Sequence, residues 1–134
     1  QLSQGHGKVS WGVRTIWEIV SGWYDYETVA NLYHVPASAV NEDLVELVGG
    51  PDVLAQRAKR YLDAGQPLEA LRLLDIARDR PTAAVLNVRI EAVEALLKQA
   101  AVLGNYSEIG LLKADLRSSR AQQAARAQGE SAKP

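Results

Sequence analysis

The sequence predicts an all-α protein, a small antiparallel helical bundle with tetratricopeptide-like helical hairpins. Three observations predict it. Apolar residues recur at i, i+3, i+4 and i+7 in one segment after another, and nothing alternates with period two over a useful length. Glycine and proline punctuate these segments at Gly22, Gly49-Gly50-Pro51, Gly65, Pro67, Pro81 and Gly104, where helices stop and start. Leucine and alanine dominate a chain that is 47% hydrophobic and only 6% aromatic, as in soluble helical proteins.

Each element follows in order. Residues 1–10 read as a linker, polar and with glycine at positions 5 and 7. A first helix is expected from about Trp11 to Val20, with Val13, Ile16, Trp17 and Val20 on one face. Trp17 sits on that stripe, so the expectation for it is a core position. Gly22 ends the helix. Thr28 to Tyr33 suits a short helix, broken before Pro36. Asp43 to Val48 is a further short helix, closed by Gly49-Gly50.

From Gly50 onward the pattern is plainer. Pro51 suits a first helical position, and Leu54, Ala58, Tyr61 and Leu62 form a stripe that Gly65 terminates. Pro67 opens the next helix, with Ala70, Leu71, Leu74 and Ala77 facing inward and Asp79-Arg80-Pro81 closing it. The short connection makes the pair an antiparallel hairpin. Gly65, Ala70, Leu74 and Ala77 match part of a tetratricopeptide repeat, but no second copy is evident and a solenoid needs several. A generic hairpin with small residues at the crossing accounts for the same pattern. The longest helix runs from about Thr82 to Val102 with Leu86, Ile90, Val93, Leu97 and Ala100 in register. Gly104 stops it, Asn105 and Glu108 form a capping-box pair, and Ile109, Leu112 and Leu116 line the last helix. The apolar pattern fails after Arg117. The expected domain is 11–117, and 118–134 is expected to be a disordered polar tail.

Composition excludes several classes. At 134 residues the chain makes one domain with a modest core. A net charge of −1 does not suit nucleic acid or an anionic membrane. No apolar run approaches the roughly 20 residues that span a bilayer, and no signal-peptide pattern is present, so the compartment stays unassigned. With no cysteine there is neither a disulfide nor a thiolate metal site. Methionine is absent even at position 1, so the chain reads as part of a longer protein.

Catalytic signatures are missing. His6 and His34 are far apart with no carboxylate at ligand spacing, whereas a catalytic zinc needs three protein ligands. No nucleophile motif or phosphate-binding glycine loop occurs. His34 reads as a loop residue with a structural hydrogen bond. His6, between two glycines that allow close backbone approach, is either solvated or functional. Glu42, Asp43 and Glu46 read as a solvated helix face, and so do Arg57, Lys59 and Arg60. All three tryptophans lie before residue 24, and Tyr24, Tyr26 and Tyr33 follow closely. Trp11, Trp23, Tyr24 and Tyr26 are candidate interface residues, because Trp and Tyr gather at interface centres.

An ordered set of motifs carries a family resemblance. An aromatic helix leads to Gly22-Trp23-Tyr24-Asp25, then a loop with proline. Leu44-Val45-Glu46-Leu47-Val48-Gly49-Gly50-Pro51-Asp52 follows, then Ala64-Gly65 and Leu68-Glu69-Ala70-Leu71. Over roughly residues 9–103 this resembles the dimerisation domain of bacterial alkylsulfatases, metallo-β-lactamase-fold enzymes that hydrolyse alkyl sulfate esters. The resemblance implies a helical domain that follows a zinc-binding catalytic domain and joins two subunits in an interlocked homodimer. It places the zinc and its His-x-His-x-Asp-His motif in that other domain. The chain by itself is then expected to hold no cofactor and catalyse nothing. Ser10-Trp11-Gly12 stands where relatives carry a histidine in a Ser-His-Asn context, and tryptophan cannot serve as a general acid. A parent with a substrate other than an alkyl sulfate is therefore expected. His6, Lys8 and Trp11 become candidates for lining the parent's cleft. Two rival readings are a stand-alone tetratricopeptide-like interaction module and an enzyme using His6, His34 or the Glu42/Asp43/Glu46 cluster.

Overall fold

Three helices end in the same way, and those ends set the architecture. In the computed structural model, which describes residues 12, 13, 16, 17, 19, 20 and 35–131, Val13, Ile16, Trp17, Ile19 and Val20 are helical. A short 3-10 helix, Ala37–Val40, leads into α1, Asn41–Leu47. The Gly49 and Gly50 amides bond back to the Glu46 and Val45 carbonyls, and Pro51 begins α2, Pro51–Asp63. Gly65 has φ +76°, a left-handed conformation that side-chain-bearing residues resist. Its amide meets the Leu62 carbonyl and Gln66 meets Tyr61, a Schellman stop that turns the chain into α3, Pro67–Leu74. Gly104, at φ +66°, repeats the motif with bonds to Ala101 and, through Asn105, to Ala100.

α2 and α3 form the expected hairpin. A 3-10 turn, Asp75–Ala77, then bends the chain toward α4, Ala83–Leu103. α5, Tyr106–Ser131, returns along α4. The fold class is all-α, and among the described residues there is no strand. The hairpins do not repeat, since α2 and α3 have 13 and 8 residues and α4 and α5 have 21 and 26. Those unequal lengths lend the tetratricopeptide expectation no support.

Small side chains let the helices cross closely. Ala55, Ala58, Ala70, Ala77 and Ala92 are at most 2% exposed, and with Leu54, Leu74, Val85 and Val88 they make one core. α4 is buried on two faces. Val85, Val88 and Ala92 join the core with α2 and α3, while Leu86, Val93 and Ala100 are buried on the side along which α5 packs. The single stripe expected for this helix holds the α5-facing residues. Of its members, Ile90 and Leu97 are only half-buried.

The structure corrects two expectations. The segment after Arg117 is helical as far as Ser131, and Ser119 within it is 2% exposed. Side-chain bonds hold it to α4 and to the turn before it: Arg120 to Glu94, Gln123 to Asn87, and Arg126 to the Pro81 carbonyl. Polar pairing replaces the apolar stripe that the sequence lacks there. Trp17, expected in the core, is 69% exposed, and among the described residues the core draws on α2, α3, the 3-10 turn and α4 instead. The expected short helix over 28–33 lies outside the described residues.

Candidate functional site

α1 is held by one side and open on the other. Val45 packs on the core, the Asn41 amide reaches the Asp75 carbonyl at 3.5 Å, and Glu42 pairs with Arg80 at 3.1 Å. The opposite side carries Val40, Leu44, Leu47 and Val48, which are 39–81% exposed and follow one another at helical spacing. Val53, at the start of α2, extends this surface; a Cβ on Gly49 would lie 3.9 Å from its Cγ2. The helical residues Val13, Ile16, Ile19 and Val20 are likewise 62–78% exposed. A third apolar patch sits at the tip of the α4–α5 hairpin, with Val102, Leu103, Tyr106 and Leu111. Exposed apolar side chains at such spacing are candidates for covering by another surface.

The polar features are engaged in holding the bundle. Arg89, with its side chain 22% exposed, donates from Nε and one terminal nitrogen to Asp115 at 3.2 and 2.8 Å, and from the other to Asp75 at 2.8 Å. Burial pushes its pKa down, but the hydrogen bonds to Asp115 and Asp75 outweigh burial and the net shift is upward. The Ser119 hydroxyl adds a bond to Asp115 at 3.2 Å. These groups line a cleft of about 470 Å³ between the 3-10 turn, α4 and α5. Hydrogen bonds to Glu91 and Asp63 raise the Lys59 pKa at the surface, and Arg57 lies over the Tyr61 ring at 5.5 Å. Among the described residues no three His, Asp or Glu side chains gather as a metal site, and no helix is long and apolar enough to cross a membrane.

The sequence-predicted site residues divide sharply. His6, Lys8, Trp11, Trp23, Tyr24, Tyr26 and His34 lie outside the described residues. Glu42, Asp43 and Glu46 lie on the exposed part of α1. The outward α1 stripe was missed, although the spacing of Val40, Leu44, Leu47 and Val48 carries its signal. The Arg89 clamp was missed too. Its partners are 14 and 26 residues away, so no local pattern announces it.

The buried core and the exposed apolar residues before and within α1 define a small helical domain. The chain matches the family model described as alkyl sulfatase dimerisation over residues 1–107, and it belongs to that family. Dimerisation is the role this family assigns to it. No protein of curated function and no solved structure matches the chain.

Proposed function

We propose that this chain is the dimerisation module of a larger, alkylsulfatase-like hydrolase of the metallo-β-lactamase fold, joining two subunits as a homodimer. The observation that carries this reading is the family match over residues 1–107. The exposed apolar stripes support it, since their burial between two copies removes surface from water at about 25 cal/mol per Å². The zinc belongs to the parent's catalytic domain, upstream of this one, and the module alone turns over no substrate. The segment with His6, Lys8 and Trp11 borders the parent's active-site cleft, where Gly5 and Gly7 allow the backbone to come close. With Trp11 at the position of a family histidine, the parent acts on a substrate other than an alkyl sulfate.

Multi-angle light scattering on the chain tests the association. A dimer mass at micromolar concentration is expected, and a monomer throughout the tens of micromolar range overturns the reading. The coding sequence upstream of Gln1 tests the parent. A His-x-His-x-Asp-His motif supports it, and an upstream domain without one defeats it.

A further inference from the structure

α5 is attached in two different ways along its length. In its first half Ile109, Leu112 and Leu116 are half-buried on the side that follows α4. After Leu116 no apolar side chain larger than alanine occurs. The attachments there are polar. Asp115 meets Arg89 at 2.8 Å in a part-buried setting. Arg120 to Glu94, Gln123 to Asn87 and Arg126 to the Pro81 carbonyl are all exposed. Beneath the same stretch lies the cleft of about 470 Å³, with Ser118, Ser119 and Gln122 on its α5 side and Leu74, Val85 and Leu86 opposite. The second half of α5 therefore bridges a gap on that side.

We infer that residues 118–131 form a strap that opens and closes over this cleft while the rest of the bundle stays folded. Asp115, clamped by Arg89, is the fixed end, and the strap releases from its far end back to that point. Segments with few buried apolar contacts and exposed hydrogen bonds open at the low end of a protein's stability range, and the strap meets both conditions. Each exposed polar link contributes little, because water competes for it and salt screens it. The core cluster takes no residue from α5, so release leaves that cluster whole. Release uncovers Ser119 and Leu86, which are 2% exposed in the closed form, and widens the cleft toward solvent. The strap lies beyond residue 107, where the family match ends, so it stands apart from the dimerisation reading.

Hydrogen exchange on the unmodified chain tests the strap. Amides of 120–131 are expected to exchange at least about tenfold faster than those of 109–117 and of α4. Exchange of all of α5 in step with α4 overturns the inference. Arg120→Gln changes an exposed residue and is expected to speed exchange over 118–131 by about two- to fivefold, with α4 unchanged. No effect, or an equal effect on α4, shows that these links do not hold the strap and also overturns it. Ser119→Cys gives a second reading, since the chain has no cysteine and Ser119 is buried. A thiol reagent is expected to label it at least about tenfold faster than the slowest α4 amides open. Labelling no faster than those amides shows that the strap stays shut at its inner end, and the inference fails.

Discussion

Thr82 does two jobs with one hydroxyl. It accepts from the Val85 amide at 3.3 Å, which caps α4, and it donates to the Asp52 carboxylate, which ties the start of α4 to the start of α2. Thr82→Ala is expected to cost about 1 kcal/mol, read as a lower urea midpoint at constant slope. Arg89→Ala leaves Asp75 and Asp115 without their shared counter-charge. A fully buried pair broken in this way costs about 3–5 kcal/mol. Here solvent screens the partly exposed aspartates, so about 1–2 kcal/mol is expected in the same measurement. The Arg89 pKa is raised above the ordinary guanidinium value, so its stabilisation is complete below the unfolded value and is lost only as pH rises through the higher folded one. Around neutral pH the wild-type and Arg89→Ala stability curves are therefore expected to run parallel as far as this group is concerned. The cap was legible in part, since Thr82 stands just after Pro81 and before an apolar run. The clamp was not, because its three members come from different elements.

At the scale of elements, alanine sets the distances. Ala58 is fully buried where α2 meets its neighbours. Ala58→Leu adds volume that the close crossing has no room for, and a loss of about 1–3 kcal/mol is expected by thermal unfolding. α5 makes the contrasting case. Its second half has no apolar stripe, and the sequence alone predicts that it frays. The structure keeps it helical with Ser119 buried beside Asp115 and with Arg120, Gln123 and Arg126 bonded to partners 26–45 residues away. Truncation after Arg117 is expected to lower the melting temperature by roughly 5–10 °C and to reduce helical circular dichroism. An unchanged melt shows that these surface bonds contribute nothing. The helix starts and stops at Gly49-Gly50-Pro51, Gly65, Pro67 and Gly104 were legible, since proline and glycine act through backbone geometry that needs no tertiary context. The facing of α4 was only half legible. Periodicity reports that a helix has an apolar side, and this helix has two.

For the whole molecule, the distribution of apolar surface matters most. Among the described residues the core draws on α2, α3, the 3-10 turn Asp75–Ala77 and α4, while Val13, Ile16, Ile19 and Val20 and the outward residues of α1 remain exposed. A dimer that covers them gains stability by mass action, so the melting temperature is expected to rise with protein concentration. Differential scanning calorimetry over a hundredfold dilution checks this, and a constant melting temperature counts against a dimer that dissociates as it unfolds. The same distribution explains why Trp17 was misread. Its position on an apolar stripe predicts a covered face and does not say which surface that face meets.

The sequence by itself determined the helical class, nearly every helix boundary from Gly50 onward, and the family, because local backbone preferences and ordered motifs are written residue by residue. Only the tertiary structure decided which apolar faces were buried and which polar groups met. Those outcomes depend on distance in space: Arg89 finds Asp75 and Asp115 across a cleft, and the core gathers residues of α2, α3, the 3-10 turn and α4 that lie up to 38 positions apart in the chain.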